Sequence, residues 1–417
     1  MDRFVVRAGA ELDGVVTVQG AKNSALKLMA ATLLAEGEYT LRNVPRIADV
    51  EIMAELLRSM GVDVQWADGG ELVLRRPADC IPEAPYELVE RMRASIVVLG
   101  PLLARFGRAR VALPGGDDFG ARPIDMHLAG LAQMGAEFDF AHGVIDARCS
   151  RLLGTRIVLE FPSVGATENI LMGAVLAKGT TVIDNAAREP EIADLAAFLN
   201  RMGALVSGAG TSTITVEGMP ELAAVEHTVI PDRVEAATYL AAVGLAGGEI
   251  TITGARADHM DMIIHKLGEM GLRISSTADG LWACRTRRLR AADVSTLPYP
   301  GVATDYKPLL VALLAISDGV GIVTENLYGA NRYTYVAELQ RMGADITVAD
   351  HHAVVRGSER LSGAPVKAHD IRAGAALVVA GLAAEGETVV SEGHHIDRGY
   401  EDFAGKLRGL GADVTRG

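Results

Sequence analysis

An apolar residue, a glycine and a short strand-like run occur together six times: MGVDVQ from Met60, MGAEFDF from Met134, MGALVSG from Met202, MGLRIS from Met270, MGADITV from Met342 and LGADVT from Leu410. The intervals are 74, 68, 68, 72 and 68 residues. Each copy closes a helical pattern, such as PEIADLAAFLNRM or DHMDMIIHKLGEM. Glycine ends such a helix because it enters the left-handed cap conformation without a Cβ penalty. A second series runs in the opposite phase: ALKLMAATLLAEGEYTLRNV, SIVVLGPLLARFGRARVAL, TENILMGAVLAKGTTVIDNA, EAATYLAAVGLAGGEITITGA, LLVALLAISDGVGIVTENL and AALVVAGLAAEGETVVSEG. Each is a nearly all-apolar helix, a glycine stop and a β-rich strand. A helix that is apolar on every side is a buried helix. The polar-faced helices before the Met-Gly turns should lie outside.

Six units in phase exclude most folds at once. Each unit of about seventy residues alternates strands with one buried and one exposed helix, which is too large for a solenoid of short repeats. Two pseudo-symmetric halves of three units each fit better, and 417 residues exceed what one ordinary core organises. The chain is expected to pass between halves near Gly20 and again near Thr228. That gives one domain of residues 21–229 and a second of 1–20 with 230–417, with ligands in the cleft between them.

Composition bounds the function. Forty Lys and Arg against fifty-three Asp and Glu leave a formal charge of −13, which argues against a general nucleic-acid surface. An anionic ligand must then meet a local basic cluster. The three cysteines, Cys80, Cys149 and Cys284, are widely spaced and form neither a disulfide framework nor a metal or redox spacing. The longest apolar runs, such as LLVALLAI, are too short to span a bilayer, and the first residues have no apolar core of signal-peptide length. A cytoplasmic protein is expected, without membrane or nucleic-acid partners and with no cofactor or metal.

The loop VALPGGDDFGARPIDMHL, Val111 to Leu128, sets Asp117 and Asp118 among glycines, five residues from Arg122. A solvated turn is the plain alternative. Read with GAKNSAL, MRASI, PSVGATENI, NAAREPEI, PDR.E, TD, DIRA and HIDRGYE, it resembles the enolpyruvyl transferases over essentially the whole chain. The resemblance implies a two-domain inside-out α/β barrel built from six βαβαββ units, three per domain. It also implies transfer of the enolpyruvyl group of phosphoenolpyruvate to the 3′-hydroxyl of UDP-N-acetylglucosamine, with release of phosphate, in peptidoglycan precursor synthesis. The alternatives are a secondary-pathway transferase acting on another uridine nucleotide such as UMP, or a catalytically silent nucleotide-sugar-binding paralogue.

Phosphoenolpyruvate packs a phosphate and a carboxylate into a very small molecule, and several fixed cations are needed to hold it. By resemblance, Lys22, Arg122 and Arg398, read as lying among glycines in loops, hold these groups. Arg93, Arg332 and Arg372 assist them, Arg93 and Arg372 at helix starts where a structural role competes. Asp305, in GVATDY, matches the carboxylate beside the sugar hydroxyl; its plain alternative is a helix N-cap. Asp117 stands where most of the family carries a Cys taken as proton donor, so Asp117, Asp305, Lys22 and Arg398 form the expected catalytic set. A carboxylate is a weaker nucleophile toward an epoxide than a thiolate, and insensitivity to fosfomycin is expected. For the nucleotide sugar the resemblance implies Asn23, Arg122, Pro123, Asp125, His127, Ser163, Val164, Gly165, Asp305 and Leu327; the free backbone N–H groups at the helix start after Ser163 suit a diphosphate. Glu189 and Glu191 match a supporting motif, and Asp232 with Arg233 precede the fourth buried helix. Two segments depart from the family pattern: GVATDYKP, and LYGANR, which is one residue longer than usual. Both flank the sugar side.

Overall fold

The computed structural model describes residues 2–114, 124–328 and 330–417. Within them the chain separates into two compact units, one of residues 2–19 and 231–417, the other of residues 20–114 and 124–230. Each unit contains three four-stranded sheets and one hydrophobic core.

All six four-stranded sheets share one plan. In one of them Leu12–Thr17 runs parallel to Gly248–Thr253, which pairs antiparallel with Gly280–Arg285, which pairs antiparallel with Arg273–Ser276. The other five repeat this order of one parallel edge and two antiparallel pairings. That sheet and two others draw a strand from far along the chain. Arg3–Arg7 lies between Glu387–Ser391 and Asp413–Arg416. Glu226–Thr228 adds to Gly37–Arg42.

The second sequence series forms the buried helices Lys22–Ala31, Leu99–Phe106, Val164–Ala174, Arg233–Ala246, Lys307–Ile316 and Ile371–Gly381. Arg233–Ala246, Lys307–Ile316 and Ile371–Gly381 pack on one another. Small residues allow close approach; a Cβ on Gly100 would lie 2.2 Å from the carbonyl oxygen of Asn169 on the neighbouring helix. Each fully buried Leu of these helices stabilises its unit by about 1.5–3 kcal/mol.

The first series ends the outer helices as expected. Met60, Met134, Met202, Met270, Met342 and Leu410 are at most 2 % exposed. The glycine after each has φ between 87° and 103°. At Gly135, Gly203 and Gly271 a Cβ would meet nothing within 4 Å, so backbone conformation rather than crowding selects glycine there. No helix among the described residues is long and apolar enough to cross a membrane.

Candidate active site

The expected site residues fall into a group in each unit. In the unit of residues 20–114 and 124–230, Lys22 begins the helix Lys22–Ala31; it does not lie in a loop. A cation at a helix N-terminus opposes the macrodipole. Here Asp49, in the first turn of Ala48–Ser59, offsets it with an ion pair of 2.7 Å. Lys22 is 8 % exposed and Asp49 1 %, and the half-buried Asn23 follows. A buried lysine at a helix N-terminus, held by a carboxylate, concentrates positive potential suited to a phosphate.

The same unit gathers Asp125, Ser163, Val164 and Gly165 of the expected nucleotide residues with His127. Asp125 begins the helix Asp125–Gln133 and is exposed, whereas His127, on the same helix, is 6 % exposed. Ser163 caps Val164–Ala174 by accepting the Ala166 N–H at 3.3 Å. The His127 ring fills the space beside Gly165, where a Cβ would sit 2.9 Å from Cε1 and 3.1 Å from Nε2. Asn169 fixes the ring from the other side. Its Oδ1 accepts the Gly100 N–H at 2.7 Å, and its Nδ2 donates to the Ile96 carbonyl and to His127 Nδ1, both at 2.9 Å. With both amide hydrogens spent, Nδ1 must accept, and the network assigns the His127 proton to Nε2, facing Gly165. Burial, then the Arg93 guanidinium, pushes the imidazole down to about 4, against a smaller opposing effect of Asp125. Arg93 is half-buried at the start of the 3₁₀ turn Arg93–Val98.

Behind these lies an acidic cluster. Glu168 is fully buried, 3.6 Å from Lys27. Burial, reinforced by Glu191 and Glu189 and opposed by Lys27, raises its carboxyl to about 7. Glu191 is buried and Glu189 half-buried at the start of Pro190–Arg201. Asp194 of that helix accepts from Ser24 Oγ and pairs with His227 Nε2 at 2.8 Å.

In the unit of residues 2–19 and 231–417, Asp305 sits inside the 3₁₀ turn Thr304–Tyr306 and caps no helix. Its side chain, 28 % exposed, lies 3.7 Å from Arg332 and 3.6 Å from Arg372, whose own side chains are 9 % and 7 % exposed. Arg372 follows the N-cap Asp370, whose Oδ1 accepts the Arg372 and Ala373 N–H groups at 2.8 Å. Burial works against the Arg372 charge, but Tyr400, Asp232 and Asp305 outweigh it and hold the guanidinium above its ordinary range. Asp232 caps Arg233–Ala246 through the Val234 and Glu235 N–H groups. Arg233 donates to the Tyr306 hydroxyl at 3.2 Å, beside Asp305. Arg398 is half-buried and ends the short helix His394–Asp397; like Lys22, it belongs to a helix end and not to a glycine loop. Leu327 is half-buried and donates its N–H to Glu325 at 3.0 Å.

Asp117, Arg122 and Pro123 lie outside the described residues. The sequence reading missed Asp49, Asn169, Lys307, Glu325 and Tyr400. Of these, all but Asp49 lie within quoted stretches, Asn169 in PSVGATENI, Lys307 in GVATDYKP, Glu325 in LLVALLAISDGVGIVTENL and Tyr400 in HIDRGYE, but a buried polar partner leaves no periodic signal. The fold also brings ligand atoms of Glu392, His394 and His395 within 4.8 Å of one another, although His394 Nδ1 is engaged by Asp2.

The model for EPSP synthase (3-phosphoshikimate 1-carboxyvinyltransferase) matches residues 6–407. The UDP-N-acetylglucosamine 1-carboxyvinyltransferase of Nitratidesulfovibrio vulgaris is 48% identical over 417 residues, 100% of this chain and 99% of that protein. That of Mycolicibacterium paratuberculosis is 51% identical over 415 residues, again 100% and 99%. Among solved structures, the enolpyruvyl transferase NikO from Streptomyces tendae superposes with a TM-score of 0.90 at 27% identity, covering 99% of this chain and 98% of that one.

Proposed function

We infer that this chain, which belongs to the EPSP synthase family of enolpyruvyl (carboxyvinyl) transferases, transfers the enolpyruvyl group of phosphoenolpyruvate to the 3′-hydroxyl of UDP-N-acetylglucosamine and releases phosphate. Relatives about half identical over their full length carry that activity in their names, while the structural likeness to NikO is at 27%. The sugar nucleotide is therefore the favoured acceptor over UMP or a silent binding role.

One observation carries the chemistry: a carboxylate still open to solvent, Asp305, is held between two buried guanidiniums. Arg332 and Arg372 supply fixed charge for an anionic substrate, and Asp305 supplies a base at the same place. The reaction is addition followed by elimination. The sugar oxygen bonds to C2 of phosphoenolpyruvate as Asp305 takes its proton, and C3 gains a proton from an acid, the role proposed for Asp117. The tetrahedral adduct then expels phosphate from C2 and gives up a proton from C3, which restores the double bond. Lys22, Arg93, Arg122 and Arg398 join Arg332 and Arg372 in holding the phosphate and carboxylate. His127, with its Nε2–H beside Gly165, and the N-terminus of Val164–Ala174 serve the nucleotide, with Asn23, Pro123, Asp125, Ser163 and Leu327.

Phosphate release from phosphoenolpyruvate, measured with UDP-N-acetylglucosamine, UMP or UDP-glucose as acceptor, tests the reading. Release that depends on UDP-N-acetylglucosamine is expected. Release with UMP alone, or with none of the three, would reject it.

A further inference from the structure

The two segments that depart from the family pattern, GVATDYKP and the longer LYGANR, meet at one buried carboxylate. Glu325 lies two residues before the second segment and has no exposed surface. Its Oε2 lies 2.8 Å from Lys307 Nζ and accepts the Thr304 hydroxyl at 2.8 Å. Its Oε1 accepts the Thr296 hydroxyl at 2.7 Å and the N–H groups of Leu327 and Tyr328 at 3.0 and 3.3 Å. Lys307 is likewise fully buried, with Nζ 3.8 Å from the ring centroid of Tyr333. Thr304 and Lys307 flank Asp305 in the chain. Leu327 and Tyr328 precede the 3₁₀ turn Ala330–Tyr333 that carries Arg332, and Arg332 packs on the Tyr328 ring at 4.8 Å.

A buried ion pair is a poor stabiliser, since desolvation cancels most of its attraction and an apolar pair of equal volume does as well. Its worth lies in geometry. An ionised carboxylate has about four lone-pair directions, and here they are directed at two hydroxyls and two backbone amides from separate segments, with a lysine facing the second oxygen. A neutral side chain cannot hold all of them.

We propose that Glu325, with Lys307 as its counter-ion, is a positioning residue that locks the turn bearing Asp305 to the loop bearing Leu327 and Arg332, so that base and acceptor loop keep one register. The proposal rests on the reading above, in which Asp305 takes the hydroxyl proton. It makes the two departures a single coupled feature: Thr304 and Lys307 of the first segment and Leu327 and Tyr328 of the second all meet the one carboxylate of Glu325.

Two variants of the full chain test it. Thr304→Val is isosteric and cuts only the tie to the Asp305 turn. It should lower kcat about tenfold or more, as a small misplacement of a reacting group does, with the KM values for both substrates within about twofold of wild type. Lys307→Met combined with Glu325→Gln removes both charges at nearly constant volume and loosens both ties. It should lower kcat similarly and also raise the KM for UDP-N-acetylglucosamine about fivefold or more. Wild-type kcat in Thr304→Val, or a loss confined to the KM for phosphoenolpyruvate, overturns the proposal; should the double variant not fold, Thr304→Val decides alone. Asp305→Ala run beside them separates the two failures. If it is inactive while Thr304→Val is normal, only the positioning role falls. If it is active, the assignment of Asp305 falls first.

Discussion

Acid should destabilise the unit of residues 20–114 and 124–230 through one histidine. His127 accepts a hydrogen bond at Nδ1 from an Asn169 amide whose other groups are committed to Gly100 and Ile96. Protonating Nδ1 would aim two donors at each other, and the ring is 6 % exposed with Arg93 nearby. Burial first, then Arg93, lowers its pKa from 6.5 to about 4. The sign follows directly. The unfolded chain takes up the proton near pH 6.5 and the folded chain only near 4, so the contribution is intact above the unfolded value and is lost as pH falls. Between pH 8 and pH 5.5 the linkage relation gives a loss of about 1.4 kcal/mol, growing to about 3 kcal/mol near pH 4. His127→Gln cannot titrate, and the other ionisable groups are common to both proteins. Urea unfolding of wild type and variant at pH 8 and pH 5.5, followed by hydrogen exchange of amides in the helix Val164–Ala174, isolates the term. Wild type should lose about 1.4 kcal/mol more than the variant. Equal losses in the two proteins would refute the assigned tautomer and the network behind it.

Glu168→Gln tests the opposite sign: a carboxyl raised to about 7 chiefly by burial costs stability as pH rises from the unfolded value through 7, so between pH 4.5 and pH 8 the variant should gain on wild type by about 3 kcal/mol, read from urea unfolding at the two pH values. Arg398→Ala should raise the KM for phosphoenolpyruvate by the loss of a charge-assisted hydrogen bond, about 1.5–3 kcal/mol or roughly tenfold to a hundredfold, while near-normal activity at low phosphoenolpyruvate would exclude it from the site. Asp305→Ala should keep nucleotide binding by calorimetry and lose most turnover; the reverse pattern would reassign it. Fosfomycin should leave no adduct on the wild-type chain by intact mass and a stoichiometric one on Asp117→Cys, because a thiolate opens the epoxide and a carboxylate does so far more slowly.

The fold was legible because its signal is local and repeated. Six glycines that end helices at φ near 90° and six all-apolar helices need no knowledge of distant contacts. The exchange of strands was not legible. Arg3–Arg7 completes the sheet made by the last residues, and Glu226–Thr228 completes the first. Strand pairing is a long-range choice that a period-two pattern leaves open. The site shows the same division. Lys22, Arg372, Asp305 and Ser163 stand out by residue type beside a turn or helix start. Their partners do not, because Asp49 and Asn169 look like ordinary members of amphipathic or apolar helices until the fold turns them toward Lys22 and His127.

Lys307 shows what that blindness costs. In the sequence it is one charge at the start of KPLLVALLAI, a helix otherwise without charge, and a local reading assigns it to solvent like most lysines. In the fold it is fully buried. Burial pushes its ammonium down to about 8 against the pull of Glu325, and for Glu325 Lys307 and the two threonines outweigh burial to hold the carboxyl below its usual range. Neither shift arises from the residue's own neighbours in sequence. Both follow from placing the turn before one buried helix against the loop after the next strand. The same placement sets Asp305 beside Arg332, and the packing of the helix Ile371–Gly381 brings Arg372 to its other oxygen. The groups that do chemistry can be read from residue type and turn chemistry, whereas the groups that hold them in register become visible only when the separate segments of a repeat are folded together.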